Sequence, residues 1–560
     1  MGDVAGTGLT GVADRRCCGG DLAVKTLVEL GMETLFTLPG SHIASLLDAA
    51  REAGVRVIST RHEENAVLMA EGWALATGRP GFVAVTAGPG LANALPGMAE
   101  ANSAGAPVVV VAGRTAVSKR GRGAVQDLDQ LAVVEPLSKW RAECLQPQRI
   151  PEYLAEAVKH ASSGTPGVAY LEIPEDVLAG VAERGHASAL PSISRSVPEE
   201  PALAAAVELL QAAQRPIIIA GSGAFFSGAA EALVAFVERT GIPVTTTSAA
   251  RGLVDDVHPL CLGTLVHGGI ALVSADLALV LGSQFNANLM YGRPPLFGEG
   301  QVLIQVDIAA EHLGGQRSPT LGLVGDVRAT LDSIASRWQD EPARWSGWVA
   351  EARTVAQASR DMWAAEAAAE TTALHAGWLA SEAAQEFEDQ GGGTWISDGG
   401  DSVTWGIAFS KAHAPGSNML IGSAMGTLGV GLPFAIGARL AQPERPVCLF
   451  TGDGAFGFSL QELHTAARNG VGMVIVVVNN GVWRGPGTSP SQAGGDFDYG
   501  ILATAAGGWG VSVTTPSEFR PALRQAFALA TEGKPCVVDA KADPSVVSNL
   551  LRSLDELGLM

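Results

Sequence analysis

The amino-acid sequence predicts an α/β protein built from three doubly wound parallel sheets, and three observations lead to that expectation. The chain has 560 residues, which is too many for a single hydrophobic core. Its hydrophobic fraction is 47% but aromatic residues supply only 6%, so small aliphatic side chains carry the apolar share. Short Val/Ile/Ala-rich segments alternate with amphipathic helical patterns, which is typical of parallel strands joined by helices.

This alternation divides the chain into three predicted domains. The first spans residues 19–186, with predicted strands TLFTL, RVIST, GFVAV, PVVVVAG and GVAYLEI. The second spans residues 200–340 and follows a Pro/Ser-rich linker, with strands RPIIIAG, PVTTTS, LALVLG and VLIQVDI. After a helical connector at about 341–390, the third spans residues 391–545, with strands TWISDG, NMLIG, PVCLFTGDG, MVIVVVNN and KPCVVDA.

The net charge limits the kinds of partner that the protein can bind, and the cysteine content indicates its redox environment. The net charge of -20 repels nucleic acid and anionic membranes. The six cysteines show neither metal-ligand nor disulfide-framework spacing. The sequence contains no apolar run of about 18 residues and no signal-peptide core. We therefore expect a soluble cytoplasmic protein with reduced thiols and with neither a nucleic-acid nor a membrane partner.

A phosphate and metal site is predicted where two strands of the third domain end. Asp453 follows the strand VCLFT and lies between two glycines, which let the backbone approach a phosphate closely. A helix predicted from about residue 459 to 469 would offer that phosphate its positive end. The next strand, MVIVVV, delivers Asn479 and Asn480 to the same edge. Carboxylate, amide and carbonyl oxygens suit Mg²⁺ bridging a diphosphate.

The succession of strand, GDG, helix, strand and NN resembles the thiamine-diphosphate-binding motif of a superfamily that includes acetolactate synthase, benzaldehyde lyase, 2-hydroxyacyl-CoA lyase and oxalyl-CoA decarboxylase. The resemblance covers nearly the whole chain and implies a pyrimidine-binding, a central and a diphosphate-binding domain, in that order. It implies that Asp453, Asn480 and the carbonyl of Val482 hold Mg²⁺. It also implies that Leu428 bends the cofactor and that the carbonyl of Gly426 accepts from the aminopyrimidine. The implied cofactor-binding residues are Gly399, Gly400, Ser402, Gly426, Leu428, Gly452, Asp453, Gly454, Asn480 and Val482.

The segment STRHEENAVLM joins a strand to a helix, and in this family the RHE context carries the catalytic glutamate. The resemblance therefore places that role on Glu63, with Glu64 as the neighbour that competes for the assignment. The thiazolium carbon must lose a proton, and a carboxyl group bonded to the pyrimidine ring promotes the tautomer that accepts it. In the family this glutamate and the metal site meet across a subunit interface, so we expect a homodimer or homotetramer.

Two further residues are candidates for catalysis. Gln126 matches a glutamine that the family places near the thiazolium; the alternative is an exposed glutamine at a helix start. His42, in LPGSHIASLL, lies near the position of a histidine in benzaldehyde lyase. An imidazole suits proton transfer with a substrate hydroxyl, and a purely structural role is the alternative. His62 is expected to support the Glu63 loop.

The motifs point to two branches of the family. NANLMYGRPPLFGEGQVLIQVDI and NNGVWRG, with Trp483, look like 2-hydroxyacyl-CoA lyase and oxalyl-CoA decarboxylase, whereas LPGSHI and TRHEENA look more like acetolactate synthase-like proteins and benzaldehyde lyase. We expect a thiamine-diphosphate- and Mg²⁺-dependent carbon–carbon lyase or carboligase for a small 2-hydroxyacyl compound, with or without CoA, or an acyloin. Acetolactate synthase-like decarboxylation and carboligation of 2-oxo acids is the alternative. The resemblance leaves open whether the central domain holds an adenine nucleotide or FAD, and the C-terminal tail offers only Arg552 for CoA.

Overall fold

Three six-stranded sheets form the protein in a computed structural model that describes residues 17–182, 192–339, 344–420, 424–483, 491–492 and 497–556. Every neighbouring pair of strands within these three sheets is parallel. Helices connect the strands, so the predicted fold class is confirmed. No helix in the described part of the chain is both long and apolar enough to cross a membrane.

The N-terminal sheet has the strand order β2-β1-β3-β4-β6-β5. Its strands are β1 Thr34–Leu38, β2 Arg56–Ser59, β3 Gly81–Val85, β4 Val108–Arg114, β5 Trp140–Glu143 and β6 Val168–Pro174. Its helices are α1 Gly19–Glu29, α2 Ala44–Glu52, α3 Glu63–Thr77, α4 Pro89–Ala104, α5 Gln130–Val134, α6 Ile150–Ser162 and α7 Glu175–Leu178.

The central sheet has the order β12-β11-β10-β7-β8-β9. Its strands are β7 Pro216–Ala220, β8 Val244–Thr246, β9 Cys261–Thr264, β10 Leu277–Leu281, β11 Val302–Asp307 and β12 Leu321–Val324. Its helices are α8 Glu200–Ala212, α9 Ser222–Phe226, α10 Ala230–Thr240, α11 Leu265–Leu272 and α12 Val327–Arg337. The predicted helical connector contains α13 Ser346–Ala367 and α14 Ala376–Asp389.

The C-terminal sheet has the order β14-β13-β15-β16-β20-β19. Its strands are β13 Thr394–Asp398, β14 Asn418–Leu420, β15 Val447–Gly452, β16 Met473–Asn479, β19 Trp509–Val513 and β20 Pro535–Lys541. An antiparallel pair, β17 Val482–Trp483 and β18 Ser491–Gln492, lies apart from it. The helices are α15 Asp401–Phe409, α16 Gly431–Ala441, α17 Asp453–Ser459, α18 Glu462–Arg468, α19 Tyr499–Ala505, α20 Pro516–Thr531 and α21 Asn549–Glu556.

The predicted helix after the GDG motif is wrong in its starting point. The structure begins α17 at Asp453 itself, and α18 begins separately at Glu462. Gly452 has an extended backbone and occupies the cap position, while an aspartate in a first turn is favoured by the positive end of the helix. The motif therefore forms the helix start rather than a loop before it.

The N- and C-terminal sheets share one hydrophobic core. Helix α3 packs against α16, and both helices carry a glycine at the closest approach. A Cβ on Gly72 would lie 2.6 Å from Cα of Phe434, and a Cβ on Gly437 would collide with the carbonyl of Met69. A single cluster of buried side chains runs from β3 and β4, through these two helices, to β15 and β16. The central sheet has a separate cluster.

Candidate active site

A cleft opens where β13, β15 and β16 end, the edge at which open parallel sheets place their ligands. The volume accessible to water inside it is about 90 Å³. Among the predicted cofactor residues, those that line it are Gly399, Gly400, Ser402, Leu428, Gly452, Asp453, Gly454, Asn480 and Val482. Gly426 is exposed and lies outside this lining.

Asp453 is held firmly at the cleft. Its side chain is 4% exposed, and its Oδ2 accepts a hydrogen bond of 3.1 Å from the amide of Gly481. Its carbonyl accepts 3.0 Å from the hydroxyl of Tyr499. Burial raises the pKa of Asp453 to about 6, and amide donors counteract part of that effect. The carboxylate is thus largely ionised at neutral pH.

The two adjacent asparagines have different surroundings. Asn479 is buried, and its side-chain amide donates 2.9 Å to the carbonyl of Phe497 and 2.9 Å to Oδ1 of Asp539. Asn480 lines the cleft instead, and its Oδ1 accepts 3.2 Å from the amide of Val482. The first asparagine therefore braces the strand, and the second presents an oxygen to the cleft.

The oxygen atoms at the cleft suit a Mg²⁺ ion that is also bound by phosphate and water. They are too few for a metal held by protein ligands alone. Asp453 offers one carboxylate, Asn480 an amide oxygen and Val482 a carbonyl, and all three are hard oxygen donors. In the described part of the chain, His, Cys, Asp and Glu side chains nowhere gather in threes as a metal site. A cation here would therefore complete its coordination with phosphate oxygens and water, as Mg²⁺ does.

The loop after β13 and the start of α15 line the cleft. Gly399 has φ +106°, which favours glycine, and α15 begins directly after Gly400. The hydroxyl of Ser402 donates 2.8 Å to the carbonyl of Asp398. That bond uses the only hydroxyl proton, so Ser402 would offer an anion its backbone amide rather than its side chain.

The indole ring of Trp483 leaves no room for a side chain at the second glycine of the GDG motif, Gly454. A Cβ on Gly454 would lie 2.8 Å from the indole ring of Trp483. The indole also contacts the ring of Phe458 edge to face, with centroids 6.0 Å apart. Gly454 thus allows an aromatic wall to close against the start of α17.

The C-terminal tail contributes residues that sequence reasoning missed. The cleft is also lined by Pro544, Val546, Val547 and Leu551. Ser548 anchors this segment, because both its amide and its hydroxyl donate to the carboxylate of Asp401, the first residue of α15. Arg552 is exposed on α21. Sequence alone shows no motif in the tail, since apolar lining residues look like any amphipathic helix.

Glu63 is the first residue of α3 and is 4% exposed. Its Oε2 accepts 3.0 Å from the side-chain amide of Asn93. Glu64 is partly exposed and lies 3.9 Å from Nδ1 of His62. The structure therefore separates a buried carboxyl group from a neighbour that pairs with a histidine, and His62 contacts Glu64 rather than Glu63.

Glu462, at the start of α18, is a second residue that sequence reasoning missed. It is fully buried, and its Oε1 accepts 2.8 Å from the amide of Arg61 and 2.9 Å from the side-chain amide of Asn65. Its Oε2 accepts 2.6 Å from the hydroxyl of Thr465. The C-terminal part of the chain thus binds the backbone just before Glu63 and the side chain of Asn65 just after it.

The three predicted catalytic residues converge on the turn after β3. His42 is 6% exposed, and its Nδ1 lies 3.2 Å from Oγ1 of Thr86. A Cβ on Gly88 would lie 2.8 Å from Cβ of Gln126, and Gln126 has the strained φ of +62°. A Cβ on Gly90 would lie 3.4 Å from Oε1 of Glu63. All three therefore lie around the turn at residues 86–90.

The two groups of predicted residues occupy separate places in one chain. The described residues that line the cleft all lie between residues 376 and 551. Glu63, His42 and Gln126 lie around the turn after β3 in the N-terminal sheet and do not line that cleft. The cleft and the turn after β3 are therefore separate places within one chain.

The fold is that of a large α/β protein with a cleft at its strand ends, and comparison with known proteins identifies the class. Family models described as thiamine pyrophosphate enzyme match three parts of the chain: the N-terminal TPP binding domain at residues 18–133, the central domain at 203–334 and the C-terminal TPP binding domain at 398–540. The chain belongs to the thiamine-diphosphate-dependent enzymes, which use this cofactor for carbon–carbon chemistry.

Its relatives carry several activities in their names. A probable acetolactate synthase of Mycobacterium bovis is 35% identical over 94% of this chain and 96% of its own length. A 2-hydroxyacyl-CoA lyase of Oryza sativa is 31% identical over 94% of this chain and 95% of its own length. An oxalyl-CoA decarboxylase of Escherichia coli is 28% identical over 94% of this chain and 95% of its own length. The family is established by these matches, and the substrate is left open by their diversity.

Proposed function

We propose that the protein is a thiamine-diphosphate- and Mg²⁺-dependent carbon–carbon lyase or carboligase that acts on 2-hydroxyacyl compounds, free or CoA-linked, or on acyloins. The observation that carries this proposal is the position of His42, which is buried beside the turn that also lies next to Gln126 and Glu63. Cleavage next to a hydroxyl group requires that hydroxyl to lose its proton, and imidazole titrates in the range needed for this transfer.

The cleft residues supply the binding half of this function. Asp453, Asn480 and the carbonyl of Val482 would hold Mg²⁺, and the amides after Gly399 would meet the diphosphate. When bound, thiamine diphosphate would supply a nucleophilic carbon and an acceptor for the electron pair of the bond being cleaved. The apolar tail segment at 544–551 would keep water from this chemistry.

Glu63 supplies the proton-handling half. Its carboxyl group is buried, and its Oε2 already accepts from Asn93, which leaves Oε1 to bond a ring nitrogen of the cofactor. Glu63 belongs to the N-terminal half-site and Asp453 to the cleft, so a complete site requires a second chain. We therefore include a homodimer or homotetramer in the proposal.

The second candidate function is the acetolactate synthase-like decarboxylation and carboligation of 2-oxo acids. It is favoured by the likeness to the probable acetolactate synthase of Mycobacterium bovis, at 35% identity. Loss of CO₂ drives that reaction, so it depends less on a base beside a hydroxyl group. The two candidates therefore differ in their need for His42.

A substrate panel tests the choice. The wild type is offered 2-hydroxyacyl-CoAs, benzoin-like acyloins and 2-oxo acids, and the best substrates are repeated with His42→Ala. We expect cleavage of hydroxylated substrates to fall by about 10²–10⁴-fold, the range typical of a lost acid–base group. His267→Ala, which alters a buried histidine of the central domain, is the matched control. Acetolactate formation from pyruvate with no cleavage of hydroxylated compounds would favour the second candidate.

A further inference from the structure

A buried aspartate behind the cleft ties together the two loops that carry predicted cofactor residues. Asp398, the last residue of β13, is 1% exposed and does not line the cleft. Its Oδ1 accepts 2.6 Å from the amide of Gly399 and 3.2 Å from the amide of Gly429. Its Oδ2 accepts 2.8 Å from the amide of Gly431. One carboxylate thus holds the loop after β13 and the loop that ends at α16.

The second loop is the one that carries Leu428 into the cleft. Gly429 and Gly431 follow Leu428, so the bonds to Asp398 fix the backbone on its carboxyl side. On its amino side, the amide of Thr427 donates 3.3 Å to Oε2 of Glu100, which is 1% exposed on α4. Two buried acids from different domains therefore hold the amides on either side of Leu428.

Steric contacts leave Asp398 little freedom. A Cβ on Gly431 would lie 2.7 Å from Cβ of Asp398, so the loop passes directly over the side chain. Burial raises the pKa of Asp398 to about 6, while the three amides favour the charged form. At pH 7.5 the carboxylate is ionised, and hydrogen bonds to an ionised acceptor are stronger than neutral ones.

We propose that Asp398 is a positioning residue for cofactor binding, which sets the distance between the amides that meet the diphosphate and the Leu428 side chain that supports the rest of the cofactor. Glu100 provides a second support for Leu428 from the N-terminal domain. The inference rests on the proposed placement of the diphosphate and of Leu428 in the cleft. Asp398 itself would touch neither the cofactor nor the substrate.

The test compares two ligands of the apoprotein, thiamine diphosphate with Mg²⁺ and inorganic diphosphate with Mg²⁺. Binding is followed by calorimetry and by tryptophan fluorescence, which should respond because Trp405 and Trp483 line the cleft. Asp398→Asn keeps the size of the side chain but replaces one acceptor by a donor. We expect a loss of affinity for thiamine diphosphate of roughly tenfold to a hundredfold, the range for a lost bond to a charged group. Inorganic diphosphate does not reach Leu428, so its loss should be smaller.

Asp307→Asn is the matched control, since Asp307 is a buried aspartate at the end of β11 that accepts 3.0 Å from the amide of Ala309. It should lower the thermal midpoint without changing affinity for either ligand. Equal losses for both ligands in Asp398→Asn, or unchanged affinities, would overturn the inference. Asp453→Ala separates it from the proposed function, because retained cofactor affinity in that variant contradicts the metal site, whatever Asp398 does.

Hydrogen exchange on the wild-type apoprotein gives a measurement that needs no variant. Residue-resolved exchange should be slow at the amides of Gly429 and Gly431, which donate to Asp398. Fast exchange at both amides would overturn the inference even if Asp398→Asn does not fold. Glu100→Ala provides a second variant, and it should weaken binding of thiamine diphosphate but leave that of inorganic diphosphate unchanged. Equal binding of thiamine diphosphate by this variant and the wild type would remove Glu100 from the proposal.

Discussion

Removing Glu462 should loosen the segment that carries Glu63. In Glu462→Ala, the side-chain amide of Asn65 and the hydroxyl of Thr465 lose their acceptor, and both residues are buried. The amide of Arg61 also loses its acceptor, but Arg61 is exposed and water can replace the bond. Two buried groups are therefore left unpaired.

The magnitude follows from these contacts. An unpaired buried polar group costs about 1–3 kcal/mol, so two such groups cost about 2–6 kcal/mol. The substitution also removes the cost of burying a carboxylate, which offsets part of this loss. We therefore expect the free energy of unfolding to fall by about 2–4 kcal/mol. Because Glu63 lies between Arg61 and Asn65, its carboxyl group should also be displaced. A displacement of about 1 Å can lower a catalytic rate by about a hundredfold.

Two measurements check this prediction. Hydrogen exchange of the peptide at residues 60–66 reports the local loss of stability, and NMR of bound thiamine diphosphate reports exchange of its thiazolium proton. Glu462→Gln is the matched control, because its amide oxygen still accepts from Arg61 and Asn65. If Glu462→Ala and Glu462→Gln exchange the peptide and the thiazolium proton equally fast, the bridging role assigned to Glu462 is wrong.

Three further predictions follow from the fold and the site. Glu71 is 1% exposed with an unpartnered oxygen, and burial, with the nearby charge of Glu100, raises its pKa well above the usual range. Because this pKa is higher in the folded protein than in the unfolded chain, folding becomes less favourable as pH rises from the ordinary carboxyl pKa towards the folded value. Glu71→Gln should therefore raise the thermal midpoint more at pH 8 than at pH 5, and an equal effect at both would refute this. Gly437→Ala should destabilise the protein by about 1–3 kcal/mol or more through overpacking against α3. Its control is Gly347→Ala, where a Cβ meets no atom within 4 Å and the thermal midpoint should not fall. Activity should fall on dilution as the subunits dissociate, as measured by mass photometry beside the assay, and full activity of a monomer would contradict the two half-sites.

Within the three six-stranded sheets, the strands that sequence reasoning missed are β5, β9, β12 and β19, and each lies at an edge of its sheet. The predicted strands in sheet interiors, such as MVIVVV, are buried along their whole length and read as continuous apolar runs. The edge strands WRAE and WGVSV are largely half-buried, and LGLV has two exposed positions, so none of them forms a continuous apolar run. The fourth, β9, is buried, but its four residues, CLGT, include a glycine and a threonine and are too short to form a clear pattern. A sequence predicts a parallel strand best where both of its faces are covered.

The site was predictable where a local motif carries it. Asp453, Asn480 and Glu63 stand next to strand ends or at helix starts, and the structure places them in the cleft or beside the turn after β3. Their roles stay predictions. Glu462 and Asp398 were missed because their function lies in contacts with distant segments: the bond from Asn65 to Glu462 spans 397 residues of sequence. No local pattern distinguishes such an acid from a solvated one.

The core shared by the N- and C-terminal sheets has a consequence for synthesis on the ribosome. The face of α3 that packs on α16 emerges long before its partner, because the whole central sheet is translated between them. Until residue 441 has left the exit tunnel, apolar side chains such as Met69 and Trp73 lack their final cover. The nascent chain should therefore depend on a chaperone during that interval, and fragments that stop before α16 should aggregate.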